Sequence, residues 1–432
     1  MSAVAGRGCR VEDDTHPLRP EIPAFPPAHG RTGSAGRDVP MDEQTARWLA
    51  SGEADDALAA AAAQRDPSSL VAAESLRLHW TPEQSAAALT QEVLRRRAET
   101  KFGAAARRLL LTPDGLEQAT RGPVARWRAS QFVTAGASAV LDLGCGIGAD
   151  ALAFAEAGLD VVAVEMDPVT AILAQANLGD RARVVLGDAE ELALDLLGPE
   201  SAVFADPARR TARGRTWRVE DFRPRWEFVT GLLSGERLAC VKAGPGLPGR
   251  LIPEFAAAVW ASDGGDLVEV SLWAGPVPWP AGSRTALLLP EGIELRVEPG
   301  REPAVGPVEA YLYEPDPAVA RAGGLAQLAD LVGGHALAPG IGYLSSAELH
   351  QTPLATVFEV LEVMPFDERA LRAWVRNNGI GALEIKVRGL DVDPAVLRRR
   401  LRPHGRVAGT LVLTPADTGA KAVVARRTAR AA

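Results

Sequence analysis

Residues 140–158 read VLDLGCGIGADALAFAEAG: an apolar run, then glycines at 144, 146 and 148, then an alanine-rich stretch with helical spacing. A strand that runs through alternate glycines into a helix brings unpaired helix N–H groups against whatever lies over the turn, and glycine lets that ligand approach the backbone. Working outward, AVLDLG (139–144), DVVAVE (160–165), RVVLGD (183–188), SAVFADP (201–207) and LACVKAG (238–244) form five candidate strands with helical segments between them. Near-continuous apolar strands alternating with helices imply an α/β fold whose parallel sheet is covered on both faces. LVEVSLWAG (267–275) and RTALLLP (284–290) follow closely enough to be expected as a terminal antiparallel pair.

The glycine pattern alone does not choose a ligand, because Ala149 also permits a dinucleotide reading, GxGxxA. Asp142 separates the two. Two residues before Gly144, at the strand end, its carboxylate would repel a pyrophosphate and attract the ammonium and sulfonium of S-adenosylmethionine (SAM). Glu165, twenty-one residues after Gly144, ends the second strand, where a carboxylate can accept hydrogen bonds from both ribose hydroxyls of an adenosine ligand of either kind. Asp188 closes the third and could accept from an adenine amino group. Acids ending three successive parallel strands face the crevice at the strands' carboxyl ends.

VLDLGCGIGAD, VEMD (164–167) and LGDAEEL (186–192) together resemble the motifs of class I SAM-dependent methyltransferases. The resemblance implies a Rossmann-like sheet, SAM as cofactor held by Asp142, Gly144, Gly146, Gly148, Glu165 and Asp188, and a fourth strand that delivers its end beside the transferable methyl. FADPAR (204–209) stands there. Relatives acting on nucleic-acid amino groups often carry Asn/Asp-Pro-Pro-aromatic at this point; here Asp206 and Pro207 match, Ala208 replaces the second proline and Arg209 the aromatic. Asp206, Pro207 and Arg209 are the candidate catalytic residues, with Asp206 orienting a nucleophile or accepting its proton. The segment has no cysteine nucleophile, and Cys240, in the fifth apolar strand, reads as core packing.

Between 209 and 225 stand seven arginines against Glu220 and Asp221, in a chain whose formal charge is −8. Guanidinium groups suit phosphates, so Arg210, Arg213 and Arg215 are candidate contacts for a nucleic-acid backbone at the mouth of the site, with Trp217 or Trp226 either stacking on a base or buried. Residues 366–432 are also basic, fourteen Lys/Arg against six Asp/Glu. MPFDERALRAWVRNNGIGALEIKVRG (364–389) and the strands after it resemble the THUMP-like domain found at the C-terminus of a group of bacterial class I methyltransferases, and ETKFGAAARRLLLTPDGLEQAT (99–120) resembles the same group. THUMP domains deliver tRNA to attached modifying enzymes and usually precede the catalytic domain, whereas this module follows it; the implied partner is RNA, tRNA foremost. Lys386 and Arg388 on one strand, and Arg398, Arg399 and Arg400 with Arg402 and Arg406 on a short helix and turn, are the candidate RNA contacts. Asn377, Asn378 and Gly379 form a loop that could approach a phosphate.

At 432 residues and 47% hydrophobic, the chain can bury more than one core. The expected division is a disordered extension over 1–40, where six prolines and five glycines stand among few aromatics, a helical domain over 41–132, a methyltransferase domain over 133–300, a connecting region over 301–356 and an α+β THUMP-like domain over 357–432. Helical periodicity begins at Met41, an alternative start of translation. No run reaches the length of a membrane span and 1–40 lacks the apolar core of a signal peptide, so a cytoplasmic location is expected. Three separated cysteines suggest neither disulfides nor a zinc site, and no metal or obligate protein partner is expected. The expected function is SAM-dependent methylation of RNA; the alternatives are a small-molecule methyltransferase and a non-catalytic protein that binds SAM and RNA.

Overall fold

The computed structural model describes residues 41–198, 201–209, 219–416 and 418–429. The extension 1–40 lies outside these, as do Arg210, Arg213, Arg215 and Trp217. From Met41 the chain runs through α1 (Glu43–Ala50), α2 (Asp55–Ala62), α3 (Leu70–Arg77), α4 (Pro82–Phe102), α5 (Pro113–Gln118) and α6 (Gly122–Thr134). Their starts follow capping chemistry: Asp42 accepts from the Thr45 N–H at α1, and Thr81 and Gln84 form a reciprocal capping box at α4. Buried alanines 46, 57, 61 and 88 let these helices approach closely, and Leu173 of a later helix shares their core. The helical layer is therefore built onto the sheet domain.

The first sheet comprises β1 (Ala139–Leu143), β2 (Asp160–Glu165), β3 (Arg183–Leu186), β4 (Ala202–Ala205), β7 (Ala239–Ala243), β8 (Ala257–Asp263), β9 (Asp266–Ala274), β10 (Arg284–Leu289) and β11 (Ile293–Val297), while β5 (Ala208–Arg209) and β6 (Phe222–Arg223) pair as a separate ribbon. The order is β11-β10-β8-β9-β7-β4-β1-β2-β3, with β3, β2, β1, β4 and β7 parallel. Crossovers from β1 run through α7 (Ala149–Glu156) and α8 (Pro168–Leu178) to one edge; α9 (Ala189–Leu196) then returns the chain to β4 on the other side of β1, and α10 (Trp226–Gly231) leads on to β7. The order reverses between β1 and β4, and there the carboxyl ends open a crevice.

Two expectations change. LVEVSLWAG and RTALLLP are not partners: β9 runs antiparallel between β7 and β8, and β10 pairs in parallel with β8 and antiparallel with β11. The missed strand β8 is joined to β9 by Gly264 and Gly265 at φ +61° and +88°, a two-residue turn that only successive positive-φ residues make readily. The stretch 301–356 is also more than a connection. It contributes β12 (Tyr311–Pro315), α11 (Pro317–Ala322), α12 (Leu325–Val332), β13 (His335–Ala336) and β14 (Leu344–Ser346). These join β15 (Ala355–Pro365), α13 (Glu368–Asn377), β16 (Ile380–Val387), α14 (Pro394–Leu401), β17 (Val407–Ala416) and β18 (Gly419–Arg427) around a second sheet of order β13-β14-β12-β15-β18-β17-β16. Ala318, Val319 and Ala322 of α11 share a core with Ala286 and Leu288 of β10, so this stretch welds the two sheets.

Behind the crevice a charged group is folded into the core. Arg128 of α6 is fully buried, ion-paired with Asp150 of α7 and Glu269 of β9, and its guanidinium lies 4.6 Å from the Phe204 ring centre. Burial disfavours the cation, but the two carboxylates hold Arg128 charged well above its ordinary range. Arg128→Met should leave both acids unpaired and lower stability by about 3–5 kcal/mol. Chemical denaturation would measure this, and a loss within experimental error would show that the network contributes nothing to the fold.

Candidate active site

The crevice opens into a cavity of about 1830 Å³. Its floor is the glycine turn and the ends of β2, β3 and β4; its roof comes from the starts of α1 and α4 and from α5. Gly144 and Cys145 N–H groups both donate to the Val164 carbonyl (2.9 and 3.0 Å), which locks the turn onto β2. A side chain at Gly144 would come within 3.3 Å of the Asp206 carbonyl. Gly146 has φ +55° and open space where a Cβ would stand, so its backbone is exposed to the cavity as close ligand approach requires. Gly148 is the N-cap residue of α7.

Glu165 Oε2 accepts from Gly146 N–H and Oε1 from Asp167 N–H, each at 2.9 Å. Burial raises this carboxyl above its ordinary range. Asp188, also on the cavity wall, caps α9 by accepting from Glu190 N–H at 2.8 Å. Asp142 differs from both: it is fully buried, does not reach the cavity wall, and neither carboxylate oxygen has a partner among the described residues. Burial pushes it well above the usual carboxylate range; Asp150 and Asp206 add to this, while Arg128 and Lys242 oppose it. An unpaired buried carboxyl beside an exposed glycine turn fits a ligand that brings positive charge, as SAM does.

Asp206 lies on the cavity wall and Pro207 is buried beside it. Asp206 Oδ2 accepts from Lys242 Nζ at 2.5 Å. Arg209 is described only by its backbone, paired with Phe222. Arg223 reaches the cavity, whereas Arg225 is bound to Glu190 at 2.6 Å. Burial opposes ionisation of Glu190, but hydrogen bonds from Arg225 hold its carboxyl below the ordinary range. Cys240 is buried in β7 and burial pushes its thiol up, as it does for Cys145. Lys242, Arg128, Asp150 and Glu190 were not singled out from the sequence. Two left a signal: Lys242 in LACVKAG and Arg128 in a buried helix are charges where composition calls for apolar residues.

The second sheet separates the basic residues expected to act together. Lys386 binds Glu314 at 2.7 Å, and Arg388 approaches Glu314 at 3.8 Å while lying 5.3 Å from the Tyr343 ring centre. Arg398, Arg399 and Arg400 belong to α14, which with α13 covers the opposite face through Leu371, Val375, Leu397 and Leu401. Arg398 donates to the Leu383 carbonyl (2.7 Å), Arg400 pairs with Glu368 (3.0 Å), and Arg399 is exposed. Among the described residues no helix is long and apolar enough to cross a membrane.

Residues 140–204 match the family model described as a methyltransferase domain, 355–427 the model described as THUMP domain-like, and 42–98 a domain of unknown function. An uncharacterized SAM-dependent methyltransferase of Mycobacterium tuberculosis strain CDC 1551 is 34% identical over 340 residues, covering 76% of this chain and 92% of the relative; its counterpart in strain H37Rv matches equally. A crystal structure designated a methyltransferase, from Porphyromonas gingivalis W83, superposes with a TM-score of 0.70 at 21% identity over 87% of this chain and 99% of its own, which shows the shared fold. With the exposed glycine turn, the strand-end acids and this degree of identity, the chain belongs to the SAM-dependent methyltransferases.

Proposed function

We propose that this methyltransferase acts on RNA, tRNA foremost, with the C-terminal domain docking the polymer and the cavity receiving one base. The observation that carries this reading is the outer face of α13 and α14. Arg369, Arg372 and Arg376 recur at helical spacing along α13, Arg399 and Arg402 stand on and just after α14, and Arg406 follows; all are exposed and have no ion-pair partner among the described residues. By contrast, Arg400 of α14 and, elsewhere in the same domain, Lys386, Arg388 and Arg426 face carboxylates. A cluster of unpaired guanidinium groups on an acidic chain suits a phosphate backbone. The THUMP-like match supports the same assignment.

The bound cofactor supplies a methyl group on a sulfonium. In this reading the glycine turn and the N-terminus of α7 receive its carboxylate, Glu165 holds the ribose hydroxyls, Asp188 meets the adenine edge and Asp142 balances its positive charge. Asp206 orients the acceptor and takes its proton. The cavity walls carry Asp42, Glu83, Asp114 and Glu117 against Arg223, so phosphates are held at the rim while an uncharged base enters. The same acidic wall favours a second reading, a small neutral or cationic acceptor.

Calorimetry should show SAM binding, abolished by Gly146→Asp and weakened about tenfold, or ~1.4 kcal/mol, by Glu165→Ala. Because burial keeps Asp142 protonated above the usual range and a cation favours its ionised form, SAM binding should release a proton and tighten as pH rises through that range. Asp142→Asn should remove this dependence; a wild-type affinity flat across pH would show that Asp142 does not respond to the ligand. RNA affinity should fall linearly with salt on logarithmic axes, and replacing Arg372, Arg399 and Arg402 by Ala should flatten that slope by about 0.7–0.9 for each lost phosphate contact. Lys386→Ala should leave the slope unchanged. Filter binding of total tRNA tests both, and absence of any RNA binding or labelled-methyl transfer would favour the small-molecule reading.

A further inference from the structure

The residue that holds Asp206 is Lys242, and its second hydrogen bond reaches into the roof of the cavity. Lys242 is the fourth residue of β7, with a side chain 11% exposed; its Nζ donates to Asp206 Oδ2 at 2.5 Å and to the Gln118 carbonyl at 3.1 Å. Gln118 ends α5, and the last carbonyls of a helix have no partner within it. Lys101, in the last turn of α4, takes the neighbouring ones: its Nζ donates to Leu116 (2.7 Å), Glu117 (2.6 Å) and Ala119 (3.1 Å). Two lysines from different layers thus bind four successive carbonyls, 116 to 119, of a segment whose residues 117–120 line the cavity near Asp206. Such an arrangement exceeds what capping one short helix needs, and only Lys242 joins it to a candidate catalytic group.

We propose that Lys242 is the positioning residue of the methyl-transfer site: it occupies Asp206 Oδ2, leaves the other oxygen for the acceptor, and fixes the 117–120 wall to the sheet. This rests on the reading that places Asp206 beside the transferable methyl. During transfer the acceptor atom bonds to the methyl carbon, the sulfur–carbon pair returns to sulfur, and the acceptor's proton passes to Asp206. Lys242 touches none of the reacting atoms. Its ammonium balances the Asp206 carboxylate so that the carboxylate does not instead hold the sulfonium.

That balance gives a test independent of any acceptor. Calorimetry on the full chain compares SAM, a sulfonium, with S-adenosylhomocysteine, the uncharged thioether. Removing the lysine charge by Lys242→Met leaves Asp206 uncompensated, so preference for SAM over the thioether should rise about fivefold. In Asp206→Ala/Lys242→Met it should return to the value of Asp206→Ala alone, because the lysine acts through the aspartate. Lys242→Arg should keep the wild-type preference. Lys242→Gln, which retains a donor for the Gln118 carbonyl, serves if the methionine variant does not fold. An unchanged preference in a folded charge-removing variant, or an effect that persists without Asp206, overturns the proposal. Failure of the wild type to bind either ligand would remove the cofactor assignment of the cavity and the inference with it. A preference that shifts as expected while no RNA accepts a methyl would leave Lys242 in this role and reject RNA as the acceptor.

Discussion

The molecule depends on a guanidinium kept out of water. Arg128 can be fully buried only because Asp150 and Glu269 meet it, and the three residues come from α6, α7 and β9. Lone charges in a protein interior are too costly to persist, so the three elements must arrive together. Asp150 is also bound by the Thr120 hydroxyl (2.6 Å), which carries the constraint to the chain just after α5. The buried group therefore fixes the helical layer, the first crossover helix and the reversed strand relative to one another. The cavity lies between the surfaces it holds.

The same network sets the electrostatics of the site. Around Arg128 and Lys242 stand four acids, Asp142, Asp150, Asp206 and Glu269. Lys242 illustrates the balance: burial alone would lower it, yet Asp206, Asp150 and Glu269 raise it above its ordinary value. Two cations face four acids, and burial pushes Asp142, whose carboxylate oxygens have no hydrogen-bond partner among the described residues, well above the usual carboxylate range. A ligand bringing net positive charge relieves that imbalance without rearranging the fold. Lys101 shows the opposite effect nearby, lowered to about 8 by burial and by the charges of Lys242 and Arg121. Cations are tolerated here where acids face them and penalised one layer away.

Much of this arrangement was legible in the sequence, and what escaped had a physical reason. The five parallel strands were legible as apolar runs, four of them largely buried and the edge strand β3 partly exposed; the glycine turn, Glu165 and Asp188 line the crevice, whereas Asp142, expected to face it, is buried behind it. Strand β8 escaped because AAVWASD is alanine-rich, although the Gly-Gly turn after it was a usable hairpin signal. The stretch 301–356 read as a connection because proline and glycine crowd its start, while its strands are short and join the sheet through β12, the one that pairs with β15. The side-chain pairings were beyond reach: Arg128 meets Glu269 across 141 positions and Lys386 meets Glu314 across 72, distances over which no periodicity operates.

The C-terminal sheet shows why composition could not assign its arginines. Net basic charge over 366–432 treats Lys386 and Arg399 alike, but strand alternation turns Lys386 toward Glu314 and the Phe358 ring while helix packing leaves Arg399 in solvent. A cation that has already met a carboxylate releases few counterions to a polyanion, so among the described residues the helical face has the most charge to offer. The cavity has the reverse character, with acidic walls and, among the described residues, a single arginine at its edge. In the proposed RNA reading, a polyanion on the arginine face would keep its phosphates out of such a cavity, and what enters would leave that charge outside, as a base turned out of a strand does. If RNA is the substrate, as proposed, this separation of charge between the basic helices and the acidic cavity would make docking and methyl transfer distinct events.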